Sequence, residues 1–172
     1  ATERTIGSIA ANEAIAKMRL YGIDPTKLPL PIPIPTDQCY DYETIAGFDF
    51  IPAPPDLPFE QYYPSTNLVD QTEKKYHWSA LCRCTDPVSN TFQVTVFVSR
   101  LGGTGVKYID PANLTNTIDV PKPVWITGVP LLAPASDTIN LSSMPEYTTY
   151  FREGSVIMDD ADGKLYTVQE RD

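Results

Sequence analysis

The sequence predicts an α+β domain in which an N-terminal helix packs on an antiparallel β-sheet with long proline-rich loops. Apolar residues near the start recur at three- and four-residue spacing, which is the period of a helix. The segment 76–100 alternates apolar and polar residues on both sides of a short turn, as a β-hairpin does. A second hairpin pattern, at 155–169, ends the chain. We therefore divide a single domain, 1–172, into a helix (1–22), a proline-rich loop region (23–75) and an antiparallel sheet (76–172).

The composition limits the classes of function. Hydrophobic residues make up 42% of the 172 residues and charged residues 20%, which is ordinary for a soluble globular protein. The net charge of −9 repels phosphate groups and anionic lipid headgroups, so nucleic acid is not an expected partner. The chain contains no run of about 18 apolar residues, so none of its segments is predicted to span a membrane.

The N-terminal helix is predicted over 2–21. Gly22 follows as a C-cap, and Asp24-Pro25 cannot continue the helix. One apolar stripe should face the sheet, formed by Ala11, Ala14, Ile15, Met18 and Tyr21. A second apolar patch lies off that stripe and consists of Ile6, Ile9 and Ala10. The pattern fits an ordinary amphipathic helix, and it fits equally the lower part of a longer helix that starts upstream of Ala1.

Proline punctuates the segment 27–64 and accounts for 17 residues of the chain. Alternating prolines at 28–35 remove every second backbone donor, so this run is predicted to be polyproline II or an edge segment. Leu and Ile between the prolines favour burial of an extended segment across the domain over recognition by a partner. Aromatic residues are expected to anchor the rest of the loop: Tyr40, Tyr42, Phe48, Phe50, Phe59, Tyr62 and Tyr63.

The hairpin at 76–100 is the strongest local pattern, with its turn at 85–90. One face of its first strand should carry Tyr76, Trp78, Ala80 and Cys82, and the other His77, Ser79, Leu81 and Arg83. Further short strands are predicted at 106–109 and 124–127. The final hairpin should pair 155–158 with 164–169.

Three cysteines leave two interpretations open. Cys82 and Cys84 stand two residues apart on one strand and are poorly placed to bond each other, whereas either could reach Cys39. A disulfide of Cys39 with Cys82 or Cys84 would place the domain outside the cytoplasm; the alternative is buried free thiols. Zinc is disfavoured, because Cys-x-x-Cys spacing and further ligands are missing.

The final turn resembles the start of a calcium loop. Asp159, Asp160 and Asp162 precede Gly163, and three close carboxylates suit a hard cation. The returning ligands are missing, which favours a plain hairpin turn. We therefore predict no cofactor, with Ca²⁺ at these aspartates as the weaker alternative.

Catalytic patterns are weak. His77 is the single histidine, and no Gly-x-Ser-x-Gly nucleophile elbow is present. No carboxylate pair stands out among 22 acidic residues. The sequence therefore predicts a protein that is not an enzyme.

The order of elements resembles bacterial type IV pilin-like proteins, in particular minor pilins and type II secretion pseudopilins without their N-terminal membrane half-helix. The matching parts are the Ala-rich helix around 12–16, the hairpin Tyr-x-Trp-x-Ala-Leu … Phe-x-Val-Thr-Val-Phe-Val-Ser-Arg, and the final Glu-Gly-Ser-Val-Ile-Met-Asp … Gly-Lys-Leu-Tyr-Thr-Val. The family's basic leader and Phe-Thr-Leu-Ile-Glu signature are absent from this sequence.

The resemblance implies a structural subunit of a type IV pilus or type II secretion pseudopilus. Its partners would be other pilin or pseudopilin subunits, and an upstream segment would hold it in the inner membrane with the domain in the periplasm or at the cell surface. Ile6, Ile9 and Ala10 would face neighbouring subunits, while Ala11, Ala14, Ile15 and Met18 would hold the helix to its own sheet. The alternative is a secreted β-rich carbohydrate-binding or adhesion module with exposed Tyr and Trp residues as a stacking platform.

Overall fold

The computed structural model describes residues 2–28, 34–47, 61–65, 73–103, 105–111, 113–127, 129, 138–142 and 144–169. Two α-helices and eight strands form in these ranges. The helices are α1 (Thr2–Tyr21) and α2 (Tyr42–Ile45). The strands are β1 (Cys39–Asp41), β2 (Tyr62–Tyr63), β3 (Tyr76–Asp86), β4 (Thr91–Arg100), β5 (Tyr108–Asp110), β6 (Asn113–Ile118), β7 (Val156–Met158) and β8 (Leu165–Thr167). The α+β class is thus confirmed.

The predicted central hairpin is confirmed as β3 and β4, which pair antiparallel over nearly their whole length. Trp78 lies opposite Val98, and Cys82 lies opposite Val94. The register shifts between Cys84 and Asp86, which leaves an extra residue in β3 next to the turn. Asp86 closes that turn by accepting a hydrogen bond from the Val88 N–H at 2.9 Å.

Two strands of the main sheet come from the region predicted as loop. β1 and β2 both pair antiparallel with β3, on the edge that β4 does not occupy. Tyr40 lies opposite Cys82, and Tyr62 lies opposite His77. Strands of two or three residues show no alternation long enough to be detected in a sequence. β3 is therefore the central strand of the domain.

The helix α1 ends as predicted and packs on β3 and β4. The N–H of Gly22 donates to the Met18 carbonyl at 2.9 Å, and Gly22 adopts a left-handed φ of 69°. The buried stripe of α1 is Ala10, Ala14 and Met18, each four residues from the next. The predicted stripe was therefore wrong at one flank, because Ile15 is 37% exposed and Ala11 only half-buried.

The main apolar core lies between the helices and one face of the sheet. Its buried members are Ala14, Met18, Ile34, Tyr40, Tyr42, Ile45, Ala46, Trp78, Ala80, Cys82 and Cys84. Leu28 and Ile34, at the two ends of the first proline run, pack in or against this core, while 29–33 lie outside the described residues. Of the predicted aromatic anchors, Tyr40, Tyr42 and Tyr62 are buried. Phe48, Phe50 and Phe59 lie outside the described part of the chain.

The opposite face of β3 is also covered. His77, Ser79 and Leu81 on this face are each less than 9% exposed. Residues Pro111, Lys122, Pro123 and Trp125 line a small cavity against Ser79 and Leu81. Residues 111 and 122–125 therefore lie against the face of the sheet opposite the helices.

The C-terminal half is built from separate two-stranded ribbons rather than from one continuous sheet. β5 pairs with β6, and β7 with β8. The predicted strand at 106–109 begins two residues later, as β5, and pairs with β6, which was not predicted. The predicted strand at 124–127 is wrong, since these residues have no strand pairing. Prolines at 121 and 123 remove two backbone donors just before it.

Candidate functional site

The exposed side of α1 carries apolar residues that the domain does not cover. Ile9 is 47% exposed and Leu20 is 77% exposed. Successive helical residues are 100° apart, so Ile9, the exposed Ala16 and Leu20 fall on one side of α1. We call these three residues the α1 stripe. Its centre lies about 140° around the helix from the centre of the buried Ala10, Ala14 and Met18.

The predicted assembly residues Ile6, Ile9 and Ala10 do not form a single exposed patch. Ala10 is fully buried against the sheet, so it cannot face a neighbouring subunit in this conformation. Ile6 is half-buried, and only Ile9 is well exposed. The sequence analysis missed Leu20, which follows Ile9 by eleven residues, or three helical turns. This three-turn spacing is the sequence signal that would have placed Leu20 on the same side of α1 as Ile9.

An ion pair joins the start of α1 to the end of β4. The guanidinium of Arg100 forms an ion pair with the Glu3 carboxylate. A cleft of about 270 Å³ lies beside this pair and is lined by Arg4, Gly7, Tyr76 and Val98 as well. Within α1, Lys17 Nζ lies 3.2 Å from the Glu13 carboxylate, four residues away. The Glu3–Arg100 pair thus joins α1 to the sheet, whereas the Glu13–Lys17 pair lies within the helix itself.

The cysteines are all buried free thiols in this structure, so the predicted Cys39 disulfide is not formed. The strand register explains why. Cys39 lies opposite Arg83, whereas Tyr40 lies opposite Cys82, so Cys39 points to the other face of the sheet from Cys82 and Cys84. Burial raises the pKa of Cys82 to about 12, with Asp41 adding to the effect, which keeps this thiol protonated at neutral pH.

The acidic turn before β8 docks on the sheet through its backbone. Cys39 Sγ donates to the Asp160 carbonyl at 3.6 Å, Arg83 Nε to the Ala161 carbonyl at 3.0 Å, and Gln93 to the Gly163 carbonyl at 3.4 Å. The left-handed φ of 71° favours glycine at position 163, because residues with a Cβ rarely adopt it.

The carboxylates proposed as weak calcium ligands are used locally. Asp159 accepts from the Ala161 N–H at 2.9 Å, and Asp162 accepts from the Lys164 N–H at 2.9 Å. The Lys164 ammonium also pairs with Asp162. The backbone carbonyl of Asp160 accepts the hydrogen bond from Cys39 Sγ. In the described ranges, no three His, Cys, Asp or Glu side chains are grouped as a metal site would require.

A polar cluster that the sequence did not reveal joins α2 to two other segments next to β3, those around Gln61 and Lys122. Lys122 Nζ lies 2.6 Å from Glu43 Oε2, and Gln61 Nε2 donates to Glu43 Oε1 at 2.6 Å. Asp41 Oδ2 lies 3.9 Å from the same ammonium. Burial raises the pKa of Asp41, and the Glu43 carboxylate raises it further. Glu43 therefore links α2 to the segments around 61 and 122.

His77 lies behind this cluster and is 2% exposed. Its ring meets Tyr62 edge-on, with the ring centroids 5.5 Å apart. Burial is the main cause that lowers the pKa of His77 to about 4. The Glu43 carboxylate acts to raise this pKa, and the Lys122 ammonium acts to lower it. The imidazole is thus neutral at pH 7 and closed off from solvent, so in this conformation a substrate cannot reach it.

The aromatic residues in the described part of the chain do not form the stacking platform that a carbohydrate-binding module needs. Trp78, Tyr42 and Tyr62 are less than 5% exposed. Among the large aromatic side chains that the structure describes, Trp125 and Tyr166 are the exposed ones, at 38% and 48%. They lie on different segments of the chain, one in the loop after β6 and the other in β8.

Comparisons with protein-family models, with curated proteins and with solved structures find no match to this chain. No helix in the described part of the chain is both long enough and apolar enough to cross a membrane. The assignment of function therefore depends on the geometry of the site and on the sequence resemblance.

Proposed function

We propose that this protein is a structural subunit of a type IV pilus or type II secretion pseudopilus and that it assembles through α1. The observation that carries the proposal is the two-sided helix: α1 packs on its sheet through Ala10, Ala14 and Met18 while Ile9 and Leu20 stay exposed. Apolar side chains left exposed on one side of a helix are typical of contact sites between proteins.

The architecture supports the same function. A long first helix lies on one face of an antiparallel sheet, and residues 111 and 122–125 and the turn 159–163 contact its opposite face. In a filament of this kind the helices would pack at the centre, and the region 101–169 would form the outer surface. The partners would be the corresponding helices of other pilin or pseudopilin subunits, outside the cytoplasm and anchored in the inner membrane through an upstream segment.

The test compares two aspartate substitutions on neighbouring, exposed positions of α1. Ile9→Asp places a charge in the α1 stripe, and Ser8→Asp places the same charge about 100° away. We expect Ile9→Asp to lower incorporation of the full gene product into filaments sheared from its own cells by at least about tenfold, since an unpaired charge would be buried at the contact. Ser8→Asp should assemble normally.

Thermal unfolding of both variants separates assembly from folding. We expect little change in Tm for Ile9→Asp, because its side chain is about half exposed in the free domain. Equal incorporation of the two variants would contradict the proposal. A large loss of stability in Ile9→Asp alone would place Ile9 in the core instead.

A further inference from the structure

We propose that the free edge of β4 is a second interaction surface, at which two copies of this chain pair their sheets antiparallel. β4 is a ten-residue strand that pairs with β3 on one side. On its other side, no strand among the described residues pairs with it. An unpaired edge presents a row of backbone N–H and C=O groups, and the partner that satisfies such a row is another extended strand.

The sequence of β4 lacks the usual protection of an edge strand. Natural edges are protected by lysine, by proline, by bulges or by very short length. From Thr91 to Ser99 β4 contains no charged residue and no proline, and its pairing with β3 is regular from Phe92 onwards. Val94, at the middle of the strand, is 41% exposed.

A second copy fits this edge by symmetry. A two-fold axis perpendicular to the sheet makes the new pair antiparallel and keeps the same face of both sheets towards the same side. Phe92, Val94, Val96 and Val98, which share the core face, would then meet the same apolar set of the partner. Thr91, Gln93, Thr95, Phe97 and Ser99 would meet on the other face. On the core face, apolar residues thus pair with apolar ones whichever register of this kind forms.

Charge also favours antiparallel self-pairing. Two exposed cations lie at the C-terminal end of β4: Arg100, its last residue, and Lys75, whose carbonyl accepts from the Leu101 N–H. Glu3 pairs with Arg100, and Glu73 lies two residues before Lys75 in the chain. The opposite end carries Asp86 and the docked turn with Asp159, Asp160 and Asp162, balanced in part by Arg83 and Lys164. Antiparallel pairing brings the more basic end of each copy to the more acidic end of the other.

This dimer is a different state from the proposed filament. A two-fold axis reverses the direction of α1 between the two copies, whereas filament subunits share one direction. Edge pairing uses the backbone of β4, whereas filament assembly uses the α1 stripe. Substitutions in each surface therefore distinguish the two states.

The experiment measures self-association by analytical ultracentrifugation at a series of protein concentrations up to about 1 mM. Val94→Lys adds the protecting lysine that β4 lacks, and Val94→Thr is the uncharged control of similar shape. Val88→Lys adds the same charge in the turn, where the side chain is 92% exposed. We expect a dimer for the wild type and for both controls, and at least about tenfold weaker dimerisation for Val94→Lys.

Hydrogen exchange identifies the surface involved. We expect alternate amides of β4 to exchange more slowly as the wild-type concentration rises, with no such change in Val94→Lys. A wild-type chain that stays monomeric, or a dimer that Val94→Lys leaves intact, would overturn the proposal. A dimer that is lost in Leu20→Asp but kept in Val94→Lys would assign self-association to α1 and also overturn edge pairing.

Discussion

The two faces of β3 are closed in different ways. On one face Trp78, Ala80 and Cys82 pack against α1 and α2 in an apolar core. On the other face His77 and Ser79 are as deeply buried, yet they lie against a cluster held by the Lys122–Glu43 ion pair. The apolar face is closed by the two helices. The polar face depends on charged groups of α2 and of the segment around Lys122, so it should be the more sensitive of the two to pH.

The largest expected effect is on the apolar face. Trp78→Ala should lower the free energy of unfolding by about 3–5 kcal/mol, since it leaves a cavity between β3 and the helices. Denaturant unfolding measures this loss. Val88→Ala, in the exposed turn of the same hairpin, is the control and should change stability by less than about 0.5 kcal/mol. A small effect of Trp78→Ala would mean that the apolar face is not the principal core.

The polar face should make stability depend on pH. His77 has a pKa of 6.5 in the unfolded chain and about 4 in the folded one, so between these values the unfolded state binds more protons. Stability therefore falls on acidification through this window, by about 2 kcal/mol from pH 7 to pH 5. The raised pKa of Asp41 acts in the opposite sense at lower pH, because the folded state then binds the proton first.

The pH prediction is measured by denaturant unfolding at pH 7, 6 and 5. His77→Gln removes the titrating group, so the free energy of unfolding should depend less on pH in this variant. This expectation holds whatever the substitution does to stability at pH 7. An equally steep loss in His77→Gln would show that other groups cause the pH dependence and that His77 titrates normally in the folded state.

The ion pair that closes the polar face should have an intermediate effect. Glu43 and Lys122 side chains are each 23% exposed, so breaking the pair should cost about 1–2 kcal/mol, between the values for surface and fully buried pairs. Glu43→Gln, Lys122→Met and the double variant form a mutant cycle that isolates the coupling. Additive effects would show that the two side chains do not act as a pair.

The docking of the acidic turn should contribute least. Arg83→Ala removes the hydrogen bond to the Ala161 carbonyl and should cost at most about 1 kcal/mol, because the contact is exposed to solvent. Arg83→Lys retains the charge but loses the Nε donor. Faster hydrogen exchange of β7 and β8 in Arg83→Ala, with β3 unchanged, is the expected local signature.

The sequence predicted the parts of the fold in which a pattern runs for several residues. Alternation over ten residues located β3 and β4, and Gly22 located the end of α1. β1 and β2 were missed because they are short and owe their formation to pairing with β3 rather than to their own residues.

The candidate site was less predictable for the same reason. Ala10 looked like part of an exposed patch until the position of the sheet beneath α1 was known. Glu43, Gln61, His77 and Lys122 are far apart in the sequence, and the chain pattern carries no sign that they meet. The pairing of Cys39 with Arg83 rather than with a cysteine likewise depends on strand register.

The most direct test of assembly through α1 is cysteine cross-linking in cells that make the full gene product. The native thiols are buried, so Ala16→Cys supplies an exposed thiol in the α1 stripe, and Ser8→Cys supplies one about 100° away. After mild oxidation, we predict a ladder of covalent oligomers for Ala16→Cys and little or none for Ser8→Cys. Equal cross-linking from both positions, or none from Ala16→Cys in filaments that contain the protein, would contradict the account.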